Sequence, residues 1–477
     1  MVSPIDPTSA GFLFAENRRM PMHVGGLQLF EKPEGASRSY VREMYEQMRQ
    51  YDTIDEIAAL FLKHPYRSVR TAGQYVWEVD QLFDIDHHVR HSALPKPGRY
   101  RELLDLVSRL HGTRLARERP LWESHLIEGL RDGRVAMYTK THHSLLDGVS
   151  AMRMLAGVLS TDPDKRGMPA PWAARPAVEV RRERECEREP EPAEVRLADV
   201  PAHAMRAALG ITAEAAGMSG ALVKTIRRGL RNETSALSLY APRTLFNQPI
   251  TGARRFAAED WPLERLRAIG KATGTTLNDV VLAICSGAVR AYLLELAALP
   301  DTGMVAMVPV GLNAKQARVA SVEGGNAVGS VMVKLATELA DPADRLRTIH
   351  QSMRDGKQAL SSMTPLQIMA MSAIGQAPAI LMPMLRMQGI VRPPYNLIIS
   401  NVPGPRTTHY FNGAKLLGTY PLSIPIDGMA LNITCTSYDD KMCFGLTGCR
   451  RTVPHLQRLL GHLDDELAAL ERAADLR

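Results

Sequence analysis

Apolar positions recur along this chain with two different periods, and the switching between them predicts mixed α and β structure. Residues 125–130 (HLIEGL) and 134–143 (RVAMYTKTHH) flank Arg131-Asp132-Gly133. Asp-Gly readily takes the positive φ of a tight turn, so these runs predict a β-hairpin. In the second run Val135, Met137, Thr139 and Thr141 alternate with Ala136, Tyr138 and Lys140, and the run ends on two histidines. Past them the period becomes helical from near Val149, with Met152, Leu155, Ala156 and Leu159 on one stripe.

The C-terminal half repeats this grammar. TTLNDVVLAICSGAVRAYLLEL predicts a helix capped by Thr275 or Thr276, with Val281, Ile284, Ala288 and Tyr292 as its apolar stripe. MVAMVPV, AVGSVMVKL and NLIISNV are strand-like, and LNITCTSY with KMCFGLTGC predicts a second hairpin across Asp439-Asp440. A last helix is predicted from Pro454, carrying Leu456, Leu459, Leu463, Leu467 and Leu470. The fold class expected is α+β, in two halves each with its own sheet.

A length of 477 residues supports two cores better than one. Between residues 163 and 201, seven prolines punctuate the charged run RRERECEREPEPAEVR, which offers few apolar side chains to bury. The expected organisation is an N-terminal domain (1–175), a charged linker (176–200) and a C-terminal domain (201–477). A salt-bridged helix over 179–189 would leave that division where it is.

Cys186, Cys285, Cys435, Cys443 and Cys449 form no CxxC or Cys/His ligand spacing, so no metal site or disulfide framework is expected, and a reducing cytoplasm fits. The start has no basic-then-apolar signal pattern. A net charge of +7 suits nucleic acid, anionic lipid or a phosphate-bearing ligand; with aromatics at 5% and no recognition motif, nucleic acid is not expected. Residues 358–385 carry no charge, but Pro365, Pro378 and Pro383 interrupt them, so a buried or interfacial helix pair is expected there in place of a membrane span. LVKTIRRGLR (222–231) places Lys224, Arg227, Arg228 and Arg231 beside four apolar residues, which suits peripheral contact with an anionic membrane or lipid droplet.

The candidate chemistry lies in HHSLLDG (142–148). A histidine pair at a strand end, with aspartate and glycine following, is demanding in composition and well placed to meet a substrate. An alcohol attacks a thioester poorly unless its proton leaves as the C–O bond forms. Neutral imidazole can take that proton and return it to the departing thiolate, so one group serves both half-steps. His143 is the expected base. Asp147 is expected to hold the loop through an arginine or a backbone amide, and Gly148 to allow a tight turn after it. Asn278 and Asp279 lie in the first turn of their helix, where capping or a hydrogen bond toward the reacting group are both open. Ser400 and Asn401 precede Pro403-Gly404-Pro405 and could aim a hydroxyl or amide at a developing oxyanion. Pro120-Leu121-Trp122 reads as scaffold.

HHSLLDG matches the HHxxxDG signature of CoA-dependent acyltransferases. With PMHVGGLQLF (21–30), RPLWESHLIEGL (119–130), LNDVV (277–281), GGNAVG (324–329), SNVPGP (400–405) and LTGCRRT (446–452), the chain resembles the bacterial wax ester synthase/diacylglycerol acyltransferase family along nearly its whole length. The resemblance implies two chloramphenicol-acetyltransferase-like domains with an active-site tunnel between them. It places the catalytic base on His143, with His142 and Asp147 supporting it. Long-chain acyl-CoA would be a substrate and not a resident cofactor; the acceptor would be a fatty alcohol or a diacylglycerol. Another HHxxxDG enzyme of condensation type, or a non-catalytic lipid-droplet protein, are the alternatives. The composition of the charged run predicts that limited proteolysis cuts first within 175–196 and leaves two associated fragments. First cuts elsewhere would show that run to be packed.

Overall fold

In a computed structural model, the structure describes residues 2–51, 53–71, 73–174, 241–311, 328–361 and 392–476. The N-terminal half contributes β1 (Val2–Pro4), α1 (Pro7–Ala15), β2 (His23–Glu31), α2 (Tyr40–Arg49), β3 (Lys63–Tyr66), β4 (Val76–Val79) and α3 (Ile85–His88). It continues with β5 (Val89–Ala93), α4 (Tyr100–Gly112), β6 (Trp122–Glu128), β7 (Val135–His142) and α5 (Gly148–Val158). The C-terminal half contributes β8 (Arg254–Pro262), α6 (Leu263–Thr273), α7 (Leu277–Glu295), β9 (Val305–Gly311), β10 (Val328–Lys334) and α8 (Pro342–Ser361). The remaining elements are β11 (Leu397–Val402), β12 (Tyr410–Phe411), β13 (Ala414–Leu422), β14 (Leu431–Tyr438), β15 (Lys441–Cys449) and α9 (Arg458–Ala473).

The Asp-Gly hairpin forms as β6 and β7, from Trp122 opposite Thr141 to Ile127 opposite Ala136, with Gly133 at φ 79° in the turn. The alternation along β7 does not separate an inner from a wet face, because seven of its eight residues are buried. This strand is central in a six-stranded sheet of order β12-β13-β2-β7-β6-β5. Both faces of a central strand can be covered, and polar residues then need partners. Lys140 meets that need by donating to the Leu110 and Thr113 carbonyls at the end of α4 and pairing with Glu123 at 3.2 Å. Trp122 is fully buried, stacks between His88 and Trp172, and donates its indole N–H to the Phe61 carbonyl.

The second sheet has the order β10-β9-β11-β14-β15-β8. Its long helix α7 is apolar enough to cross a bilayer, yet thirteen of its residues are buried within this half, which makes it a core helix. The cap is Thr276. The hairpin of β14 and β15 turns on Asp439 at φ 52°, a left-handed conformation that aspartate tolerates better than most residues. The last helix departs from expectation: it starts at Arg458, because His455 sits at φ 52° and breaks helical continuity after Pro454.

A larger departure is that the halves do not keep separate sheets. Strands β12 and β13, from beyond residue 400, join the N-terminal sheet, with β13 antiparallel to β2 from Lys415–Glu31 to Leu422–Gly25. A two-way division of the chain therefore misses an exchange of strands. The predicted linker (176–200), the basic run 222–231, and residues 362–385 of the uncharged segment lie outside the described residues.

Arg254 stitches the halves further. Its side chain is buried and donates to the carbonyls of Thr251, Arg19 and Pro425. Replacing it with methionine should cost about 2–4 kcal/mol, because carbonyls desolvated by folding lose their donor. Thermal unfolding of Arg254→Met checks this; an unchanged midpoint would show that the carbonyls find other donors.

Candidate active site

The strand end delivers both histidines through their own amides. The His142 N–H donates to the Leu121 carbonyl on the β6 side, and the His143 N–H donates to the Met22 carbonyl on the β2 side, each at 2.9 Å. Two neighbouring strands thus fix the backbone beneath the imidazoles.

His142 is fully buried, and its proton can be located. The Ser144 amide donates to Nδ1 at 3.2 Å, so Nδ1 is the acceptor, and the Ser144 hydroxyl at 2.6 Å donates to it as well. Neutral His142 therefore carries its hydrogen on Nε2, which faces Glu16 Oε1 at 3.7 Å. Burial, with Arg117 and His143 adding to it, lowers its pKa to about 3. His142 has no protonation state to offer near neutrality, and its place in the site is positional.

Glu16 is the residue that sequence reasoning missed. It caps the C-terminal end of α1, where the helix dipole disfavours a carboxylate. Its compensation is local: Oε1 accepts the Met22 amide at 3.2 Å, and Oε2 accepts Nε and Nη2 of Arg117 at 3.1 and 3.0 Å. Arg117 also donates to the Leu13 carbonyl and to the Tyr75 hydroxyl. A lone acid directly after the apolar run GFLFA was the available signal, since such a placement requires a partner.

His143 has a different environment. Phe12 of α1 stacks on its ring, with centroids 4.2 Å apart and planes 17° from parallel. Burial lowers its pKa below the ordinary 6.5, while its own backbone and the Asp147 carboxylate oppose the shift. Its Nδ1 is buried without a hydrogen-bond partner among the described residues.

Asp147 Oδ1 accepts the Ser150 amide at 2.6 Å and caps α5, which makes it a loop-holding carboxylate acting through a backbone amide. Gly148 does not serve as expected. It is the first residue of α5, it is not among the positive-φ glycines, and a Cβ there would meet nothing within 4 Å. The protein itself makes no demand for glycine at 148.

Asp279 lies in a capping box with Thr276, and its Oδ2 also accepts from His350 Nδ1 at 2.8 Å, tying α8 to the start of α7. Its Oδ1 is buried without a partner among the described residues. Asn278 is half-buried beside it. Ser400 and Asn401 are half-buried on β11, opposite Thr434 and Cys435 of β14. The following turn needs Gly404, because a Cβ there would lie 2.2 Å from the Ser437 carbonyl oxygen. Among the described residues, none of these four makes a hydrogen bond or ring contact with His143, which is held by α1, β2 and the strand-end loop.

Glu16→Ala should destabilise the protein by about 2–3 kcal/mol, since it strips a half-buried arginine of its carboxylate and the Met22 amide of its acceptor, and it should slow turnover by loosening both histidines. Glu16→Gln should recover part of the stability. Melting and initial rates on the two variants check this; Glu16→Ala indistinguishable from wild type in both would remove Glu16 from the site.

Two family models match this chain. The wax ester synthase/diacylglycerol acyltransferase catalytic domain covers residues 5–281 and the corresponding C-terminal domain covers residues 324–471. A probable diacylglycerol O-acyltransferase of Mycobacterium tuberculosis (strain ATCC 25618 / H37Rv) is 46% identical over 98% of this chain and 99% of its own. A second protein of that strain, with a provisional diacylglycerol O-acyltransferase name, is 46% identical over the full length of both chains. Among solved structures, the wax ester synthase/diacylglycerol acyltransferase from Marinobacter aquaeolei VT8 superposes with a TM-score of 0.76 at 41% identity, covering 99% of this chain and 100% of that one. The first condensation domain of the CDA synthetase, at 16% identity and a TM-score of 0.55 over 100% and 97% of the two chains, shares the fold alone. This chain belongs to the wax ester synthase/diacylglycerol acyltransferase family.

Proposed function

We propose that this protein transfers a long-chain acyl group from acyl-CoA to the hydroxyl of a diacylglycerol or a fatty alcohol, with neutral His143 as general base in a ternary complex. The observation that carries the reading is the contrast between the two histidines. His142 is locked by Ser144 into a neutral, acceptor-exhausted role. His143 is held by its backbone and by Phe12, and its ring has no hydrogen-bond partner at Nδ1 among the described residues. Burial holds its pKa below 6.5, so the imidazole is unprotonated near neutrality, as a base must be.

In this reading the acceptor hydroxyl gives its proton to His143 as its oxygen attacks the thioester carbon. The C–S bond then breaks as the imidazolium returns the proton to the CoA sulfur. Acyl-CoA is consumed as a substrate, and the chemistry calls for no metal or resident cofactor. The tunnel expected of the fold would run between the halves, where Asn278, Asp279, Ser400 or Asn401 would stabilise the oxyanion or position the substrate. The names of the mycobacterial relatives make diacylglycerol the acceptor to assay first. A cytoplasmic protein held peripherally at a membrane or lipid droplet fits such substrates.

An acyl-enzyme is not part of this mechanism. Cys285, Cys435 and Cys443 are buried in the cores, and burial pushes the Cys443 thiol up to about 12. His143→Ala should abolish transfer from palmitoyl-CoA to dipalmitoylglycerol while the variant stays folded, whereas Asp147→Ala should lose about 1 kcal/mol of stability and part of its rate. Initial-rate plots should intersect. Near-normal turnover by His143→Ala, or acyl groups that remain on the denatured protein, would overturn the mechanism.

A further inference from the structure

Two aliphatic side chains on the described surface are almost wholly bare: Val69 at 96% exposure and Leu82 at 87%. They lie beyond opposite ends of β4, in the small sheet of order β1-β4-β3. Their electrical surroundings differ. Leu82 follows Asp80, whose carboxylate accepts its amide at 2.8 Å, and is followed by Asp84 and Asp86. Val69 sits in the connection between β3 and β4, where residues 65–77 contain two arginines, Arg67 and Arg70, and no acid.

The Val69 loop is built to keep its shape. The Thr71 hydroxyl lies within donating distance of both the Ser68 and Gln74 carbonyls and accepts the Ser68 amide, and the Gly73 amide donates to the Ser68 carbonyl. Such a loop presents its valine to solvent instead of folding it away. Beside it, the Arg67 guanidinium lies over the Tyr75 ring at 5.5 Å, and Tyr75 in turn packs on Phe14 of α1 with ring centroids 5.0 Å apart. Phe14 is itself 49% exposed. The patch therefore combines an aliphatic tip, an aromatic pair and a cation. It adjoins the histidines through one helix, because Phe12, two residues before Phe14, stacks on His143. Leu145 of the histidine loop packs into the cluster of Leu13, Trp77, Leu115 and Leu121 that Tyr75 also joins.

We propose that the Val69 loop and Phe14 form the contact with an anionic lipid surface, seating the protein so that its insoluble acceptor leaves the lipid beside His143. This rests on the acyl-transfer reading for the identity of the acceptor, but the contact itself does not depend on turnover. Charge selects the lipid: cations near an anionic leaflet are attracted within a Debye length, and bare apolar groups gain by leaving water. At the Leu82 end the cations Arg49 and Arg119 are paired with Asp86 and Asp84, and Asp80 adds negative charge, so less attraction is left there for an anionic leaflet. The Val69 loop also supplies a surface contact other than the basic run 222–231.

The full-length protein is floated with vesicles of phosphatidylcholine mixed with phosphatidylglycerol, and with phosphatidylcholine alone. Binding is expected to the mixed vesicles and to weaken with salt. Val69→Asp should weaken it about tenfold, and Leu82→Asp should leave it within about twofold. In a third variant, Val69→Trp, the fluorescence of residue 69 should shift to the blue on adding mixed vesicles. Activity of Val69→Asp on a detergent-dispersed acceptor should stay at the wild-type level, which separates loss of docking from loss of chemistry. No binding by the wild type, equal binding by Val69→Asp, or an unshifted Val69→Trp emission on bound protein would each overturn the proposal.

Discussion

Two adjacent imidazoles buried at the end of a central strand cannot both be charged, and the rest of the site follows from that constraint. Desolvation removes protons from both rings. The protein then gives the two neutral rings different partners. His142 spends its acceptor nitrogen on Ser144 and turns its N–H toward Glu16, while His143 receives an aromatic face and a backbone anchor. One histidine becomes part of the frame and the other is left able to take a proton. The same constraint sets a stability dependence: the folded pKa of His142, about 3, lies below 6.5, so the neutral ring favours folding fully above 6.5 and progressively less as pH falls toward 3.

Helix α1 is the mechanical centre of this arrangement. Within its span and its cap it supplies Phe12 to one histidine, Glu16 to the other, and Phe14 to the outer surface. Arg117 locks it to the segment between α4 and β6. The strand exchange serves the same end on a larger scale. Pairing β13 with β2 joins the C-terminal half to the strand whose preceding residue, Met22, holds the His143 amide. Displacement of one half relative to the other is therefore felt at the backbone beneath His143.

What was legible in the sequence was local. The Asp-Gly and Asp-Asp hairpins, the capped helix α7 and the histidine motif each write their structure within about ten to twenty residues. What was not legible depends on distant partners. The Gln28 amide donates to a threonine hydroxyl 391 residues away, and nothing near residue 415 announces that its strand will leave its own half. Glu16 was passed over because a lone carboxylate gains meaning only once Arg117 and His142 are beside it. The start of α9 was misplaced because proline signals a first helical turn, whereas the left-handed His455 that postpones it has no compositional mark. Gly148 was given a backbone duty that its φ and its open surroundings do not require.

The account stands or falls on an unprotonated His143 acting as base from a desolvated site. The pH dependence of kcat/KM for diacylglycerol, with wild-type protein at saturating acyl-CoA, tests this most directly. The account predicts a single acidic limb, tracing protonation of His143, with its midpoint below the ordinary histidine value of 6.5. A midpoint above 6.5 would contradict it, since the Asp147 carboxylate would then outweigh burial and hold the imidazole in its charged form.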